Sequence, residues 1–141
     1  MKIDVSYAPS KEEISVLYDG LLDFNKPNFP DFETKHFACY LKNNEGEIIG
    51  GLTSEITYEN IYVKYFWVSK KIRNNGHGKA LLSRLEQEAL THKIDNIHLD
   101  TFSFQAPEFY SRLGFKEVGR FKDYPKKGVD KIFFSKKIMR A

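Results

Sequence analysis

The densest chemical signal in the sequence is the run Lys70-Lys71-Ile72-Arg73-Asn74-Asn75-Gly76-His77-Gly78-Lys79, with four cations, two glycines and no anion. An apolar helical periodicity follows at once. A helix start leaves its first amides without intrahelical partners, and the aligned peptide dipoles put partial positive charge there. Glycines let the backbone turn and approach a ligand, and Asn74 and Asn75 tolerate the left-handed backbone that a sharp loop demands. This is the chemistry of holding phosphate. The spacing is neither Gly-x-x-x-x-Gly-Lys-Ser/Thr nor the three-glycine dinucleotide fingerprint.

Such a loop needs a strand before it and a helix after it. From Ile61 to Ser69, Ile61, Val63, Tyr65 and Trp67 take one face and Tyr62, Lys64, Phe66 and Val68 the other. Both faces are largely apolar, as in a central strand. Leu81, Leu82, Leu85 and Ala89 recur at helical spacing between Ala80 and about Thr91. A buried-type strand, Ile97 to Thr101, comes next, which predicts a right-handed crossover between near neighbours.

The remaining elements follow from caps and alternation. Ile3 to Tyr7 alternates like a short strand. Ser10-Lys11-Glu12-Glu13 is a capping box, and Ile14, Leu17 and Leu21 form the stripe of a helix ending near Phe24. Two prolines make Lys26 to Asp31 a surface loop. Phe37 to Lys42, Glu47 to Tyr58 and Ile61 to Ser69 read as an antiparallel meander. Ala106 to Leu113 reads as a short helix stopped by Gly114, before two closing strands, Phe115 to Phe121 and Lys131 to Ile138.

At 141 residues, 41% hydrophobic and 15% aromatic, the chain reads as one domain, residues 1–141, with a core of its own. Its formal charge of +3 is too small to name a nucleic acid as partner, though it suits a phosphorylated ligand. Cys39 is the only cysteine, so neither an intrachain disulfide nor a thiolate metal cage can form, and a reducing cytoplasm is the expected location. No apolar run reaches the roughly 18 residues that span a bilayer.

The loop reads Arg-x-x-Gly-x-Gly after a strand ending at Val68, and a second block runs Ala106-Pro107-Glu108-Phe109-Tyr110-Ser111-Arg112-Leu113-Gly114-Phe115. These resemble the pyrophosphate loop and the Ala-x-x-x-Tyr-x-x-x-Gly-Phe segment of the GNAT superfamily of acetyltransferases. The longer run Leu99 to Ala106 resembles a subgroup of small bacterial members. The resemblance implies an α/β (α+β) fold: a mixed, mostly antiparallel central sheet of about six to seven strands, flanked by helices and splayed between the strands near 61–69 and 96–102. It also implies acetyl transfer from acetyl-coenzyme A to a primary amine, by direct attack in a ternary complex and without a metal.

The same resemblance assigns roles. Arg73, Asn74, Asn75, Gly76, His77, Gly78 and Lys79 grip the pyrophosphate. The Phe66 amide donates to the thioester oxygen, and the Val68 backbone pairs with the pantetheine arm. Tyr110 protonates the departing thiolate, beside Phe109, which also serves as a packing aromatic. Ser103 stands where many members carry an asparagine that touches the pantetheine amides. Arg112 reaches toward a coenzyme phosphate or lies on a solvated helix face.

An amine of pKa about 10.4 must lose a proton, at roughly 4 to 5 kcal/mol at pH 7, so a base or a water path is required. Tyr62, Lys64, Glu55, Glu59, His98 and Asp100 are candidates, none selected by spacing. His36, His77 and His92 show no metal-ligand pattern, and Cys39 reads as a packed hydrophobe. Two other functions compete: a non-catalytic acyl-coenzyme A sensor, and nucleic-acid binding through Arg120 to Arg140, where eight Lys or Arg alternate with aromatics. The acceptor, a small molecule or a peptide amine, is left open. So is a homodimer formed through Lys131 to Ile138 as an edge strand.

Overall fold

The computed structural model describes residues 1–139 and groups them into two compact units, Met1–Phe32 and a second beginning at Glu33. The first holds helix α1, Lys11–Asn25. Its capping box closes in both directions: the Glu13 amide donates to Ser10 Oγ at 3.0 Å, and the Ser10 amide to Glu13 Oε1 at 2.7 Å. Those bonds hold the Glu13 carboxyl below the usual carboxylate range. Residues 1–6 form no strand, against the expectation for Ile3 to Tyr7. Alternation marks a face, but a strand also needs a neighbour for its amides, and here the Ala8 amide turns back onto Ser6 Oγ at 3.1 Å.

The second unit runs β1 (Lys35–Lys42), β2 (Ile48–Thr57), β3 (Asn60–Val68), a 3-10 turn (Lys70–Ile72), α2 (His77–Thr91), β4 (Asn96–Phe102), α3 (Glu108–Arg112), β5 (Lys116–Phe121) and β6 (Lys131–Lys137). Its six strands are ordered β1-β2-β3-β4-β6-β5. Every pairing is antiparallel except β3 with β4, which flank the α2 crossover. This is the mixed, mostly antiparallel sheet that the family resemblance implies. β6, however, is not an edge strand: it lies between β4 and β5, so its backbone is occupied on both sides.

One face of the sheet makes the core with α2. Leu81, Leu82, Leu85 and Ala89 pack among Leu52, Ile61, Ile97, Leu99, Ile132 and Phe134, all buried. Each leucine, isoleucine and phenylalanine among them contributes about 1.5–3 kcal/mol by leaving water. Cys39 packs against this core, and burial pushes its thiol pKa up.

The alternation along β3 is interrupted. Thr53 pairs with Tyr65 but Ser54 pairs with Val63, leaving Lys64 as an extra, bulged residue. Ile61 and Val63 face the core before the bulge; after it Phe66 and Val68 do so, while Tyr65 and Trp67 are exposed. The simple two-face assignment therefore fails beyond Val63. Tyr62 and Phe66 lie on opposite faces.

On the face away from α2, His98 bridges three strands. Its Nε2 lies 2.9 Å from Asn60 Oδ1, an acceptor, and its Nδ1 2.6 Å from Ser135 Oγ, so Nε2 donates and Nδ1 accepts. Burial lowers its pKa. The unfolded imidazole takes up a proton near pH 6.5 that the folded one refuses, so this stabilisation is complete above pH 6.5 and is lost as pH falls below it. Between about pH 7.5 and 5.5 the wild-type melting temperature should fall further than that of His98→Gln, and equal falls would contradict the bridge.

Candidate active site

β3 and β4 pair only through Asn60–Asn96, Ile61–Ile97 and Tyr62–His98, and beyond that they carry no mutual ladder. The remaining length of β3 still pairs with β2, and that of β4 with β6. The two central strands therefore open into a splayed cleft.

The backbone of β3 presents hydrogen-bonding groups to this opening. Ser69 donates to the Ile49 carbonyl at 2.8 Å, while Val68 is the partner of Gly50 and Phe66 that of Leu52. In an antiparallel ladder with this register, residues 67 and 69 exchange bonds with β2, and residues 66 and 68 point theirs away from it. The N–H groups of Phe66 and Val68 thus face the side that β4 has left. Arg73 reaches the same place, its Nε donating to the Val68 carbonyl at 2.9 Å.

The loop beyond β3 folds as the glycine spacing demands. Asn74 and Gly76 adopt left-handed backbone, at φ 65° and 79°. The side-chain amide of Asn75 closes the turn onto the Ile72 and Arg73 carbonyls, both at 3.2 Å. Gly76 caps α2, which starts at His77, three residues earlier than the leucine periodicity indicates. Its first intrahelical bond runs from Ala80 to Gly76 at 3.0 Å, so the amides of His77, Gly78 and Lys79 form an anion-ready end. Gly78 has a packing reason: a Cβ there would stand 3.1 Å from Phe109 Cζ and 3.5 Å from Phe66 Cζ. A side chain at residue 78 would require the Phe109 ring to give by a few tenths of an ångström where the helix end meets the aromatic wall.

That wall comes from β3, α3 and the strands beneath. Tyr110 meets Phe66, Phe109, Phe115 and Phe134 with ring centroids 5.2 to 6.3 Å apart. Burial, with a lesser push from the Asp100 charge, raises its pKa to about 12. α3 is shorter than predicted because Ala106 has positive φ, 53°, and Pro107 caps the helix. The turn before it is tied by Gln105, whose Oε1 accepts from the Phe102 amide at 2.8 Å and the Thr101 hydroxyl at 3.1 Å.

Ser103 binds locally: its Oγ accepts from the Asp130 amide at 3.0 Å, and its own amide donates to the Asp130 carbonyl at 2.9 Å, extending the β4–β6 ladder. Arg112 is exposed on α3. Arg120 of the basic segment is held by Glu117 and Asp130, both at 2.8 Å, and Arg140 lies outside the described residues.

The candidate bases separate. Lys64 and Glu55 form an exposed ion pair at 3.7 Å, Glu59 lies in the turn before β3, and both nitrogens of His98 are engaged. Asp100 stands on the stretch of β4 that no longer pairs with β3 and accepts from the Tyr62 hydroxyl across the opening. That bond and burial raise the Tyr62 pKa well above its ordinary value, burial most of all. Lys131 Nζ, which sequence reasoning did not single out, lies 3.8 Å from Asp100 Oδ1. Pairing across β4 and β6 brings the two together, and nothing in the local sequence signals it. Among the described residues, no group of three or more His, Cys, Asp or Glu could hold a metal, and no helix is long and apolar enough to cross a membrane.

Comparison with known proteins agrees with this geometry. The sequence profile of the Acetyltransferase (GNAT) family matches residues 6–115. Blasticidin-S acetyltransferase of Streptomyces morookaense is 32% identical over 90 residues, 63% of this chain and 66% of that protein. The crystal structure of an acetyltransferase from Bacillus cereus superposes with a TM-score of 0.85 at 31% identity, over 95% of this chain and 97% of that one. An aminoglycoside 6'-N-acetyltransferase solved with coenzyme A shares the fold at a TM-score of 0.66 and 18% identity, over 95% and 97% of the two chains.

Gly78→Ala should lower stability by about 1–3 kcal/mol as the new methyl displaces Phe109. Ser83→Ala, on the exposed side of the same helix, should stay within about 0.5 kcal/mol. Equal melting temperatures for the two variants would contradict the tight approach.

Proposed function

This chain belongs to the Acetyltransferase (GNAT) family, and on that premise we propose that residues 1–141 act as one N-acetyltransferase domain. It moves the acetyl group of acetyl-coenzyme A to a primary amine by direct attack in a ternary complex. The observation that carries this reading is the meeting of two outward-facing backbone sets: the amides opening α2, which no N-cap side chain covers, and the N–H groups of Phe66 and Val68 in the splay.

The diphosphate of the donor binds at residues 73–79, where Gly76 and Gly78 admit it and Arg73 and Lys79 add charge. The pantetheine arm takes the ladder position that β4 vacates, bonding to the Val68 backbone, with Phe109 along its path and Arg112 on the phosphate side. The Ser103 hydroxyl keeps a donor proton for the arm while its oxygen holds Asp130.

Chemistry follows from balance. The acceptor ammonium loses one proton to solvent; its nitrogen lone pair attacks the thioester carbon, the C–N bond forms and the C–S bond breaks. The nitrogen sheds a second proton and the thiolate gains one. Charge developing on the carbonyl oxygen is met by the Phe66 amide, a contribution of about 3 kcal/mol. Tyr110 faces the leaving sulfur. With its pKa near 12 against about 8.5 for an ordinary thiol, it steadies the thiolate as a hydrogen-bond donor, and outright protonation by it is uphill.

Two measurements test this. Acetyl-coenzyme A at a hundred times its dissociation constant should stabilise the protein by about 2.7 kcal/mol in thermal unfolding, and no shift at millimolar concentration would sink the reading. Tyr110→Phe should lower kcat at least tenfold with coenzyme A affinity unchanged. Because burial keeps Tyr110 protonated, the wild-type pH–rate profile should rise with amine deprotonation and show no falling limb from Tyr110 below about pH 11.

A further inference from the structure

We propose that Ser135 is an activated nucleophile, with His98 as its base and Asn60 as the group that orients the base, and that these residues hydrolyse activated esters by a route separate from acetyl transfer.

Three strands bring the groups together. Ile132 and Phe134 of β6 are buried in the core, so the Ser135 side chain takes the sheet face away from α2. His98, between the buried Ile97 and Leu99, and Asn60, before the buried Ile61, take the same face. Ser135 and His98 are direct partners across the β4–β6 ladder. Ser135 Oγ lies 2.6 Å from His98 Nδ1, and His98 Nε2 lies 2.9 Å from Asn60 Oδ1. Since Asn60 Oδ1 only accepts, it fixes the ring proton on Nε2 and leaves the Nδ1 lone pair for the serine hydroxyl. Nucleophile, base and orienting group thus stand in series, each within hydrogen-bond reach of the next. All three side chains are half-buried, so solvent is at hand to satisfy them and burial alone does not force the alignment. Burial also holds the imidazole pKa below its ordinary value, which leaves the ring neutral and able to take a proton at pH 7.

The steps balance with water as the second reactant. Ser135 Oγ attacks the ester carbonyl carbon, and its proton passes to His98 Nδ1. The bond from that carbon to the alcohol oxygen breaks, and the proton leaves with the alcohol. Water then attacks the acyl-serine, giving one proton to Nδ1. The carbon–Oγ bond breaks, the proton returns to Oγ and the acid departs. Charge on the tetrahedral oxygen calls for a positive partner. Lys116 is directly opposite Ser135 in the β5–β6 ladder and is exposed. Residues so paired share a face and have Cβ atoms about 4.5–5.5 Å apart, within reach of a lysine. A site built on an open sheet face, with a lysine in place of a backbone oxyanion hole, suits small esters with good leaving groups, such as aryl acetates.

The test uses the full chain without coenzyme A, with 4-nitrophenyl acetate as substrate and a fluorophosphonate probe as trap. The wild type should release 4-nitrophenol and carry the probe on Ser135, located by peptide mass spectrometry. Ser135→Ala should lower kcat about a hundredfold, and His98→Gln should slow probe attachment at Ser135 by a similar factor, the scale of general-base assistance. Asn60 acts through His98, so Asn60→Ala should slow attachment about tenfold and Asn60→Asp, whose carboxylate also accepts from Nε2, should restore it. A serine held only for packing would take no probe in any of these proteins. Absence of probe from Ser135 in the wild type, hydrolysis by Ser135→Ala at the wild-type rate, or equal attachment in His98→Gln each overturns the assignment. Should His98→Gln fail to fold, the Asn60 pair decides, and equal attachment in Asn60→Ala and Asn60→Asp overturns it. Because no coenzyme is present, none of these results bears on the transferase reading.

Discussion

A parallel strand pair that stops after three residues is the constraint on which the site depends. Every other neighbour in this sheet is paired along most of its length, but β3 and β4 separate after Tyr62 and His98 while each keeps its outer partner. Buried peptide groups that lose a strand partner need another. The opening therefore has a polar backbone edge on one side and is a ready receptacle for an extended, amide-bearing ligand. The flanking ladders keep it from closing, because β3 cannot move toward β4 without leaving β2.

The bulge at Lys64 gives this edge its orientation. Without the extra residue, Phe66 and Val68 would continue the parity of Tyr62 and fall on the solvent side of the sheet. With it they lie on the α2 side, where Gly78 gives them room and where Tyr110 joins the same aromatic group. One inserted residue thus lets a single strand serve two faces, with Phe66 and Val68 on the α2 side and Tyr62, Tyr65 and Trp67 on the other.

Much of this was legible in the sequence. The capped first helix, the meander, the crossover and the glycine loop rest on local chemistry, namely Ser10 with Glu13, the 3.6-residue spacing of Leu81, Leu85 and Ala89, and Gly76 with Gly78. What was not legible depends on pairing between distant segments. Alternation along residues 61–69 cannot reveal that residue 64 is skipped by β2, so the two-face reading failed halfway. Lys131 and Asp100 are far apart in sequence and meet only because β6 enters beside β4. Residues 3–7 have the period of a strand but pair with no strand among the described residues. The leucine stripe begins only at Leu81 and so marks the start of α2 late, although the loop glycines already signal a cap.

The position of β6 carries a consequence for how the protein comes into being. Last in chain order among the described strands, β6 fills an interior slot of the sheet, between β4 and β5. Chains emerge from the ribosome N-terminus first, so β4 is made before the segment that covers this flank, and until that segment pairs Asp100 lacks its Lys131 neighbour and Ser103 its bonds with Asp130. Without the segment Lys131–Lys137, β4 would present a central strand's unpaired backbone groups along this flank, the kind of edge on which other chains pair.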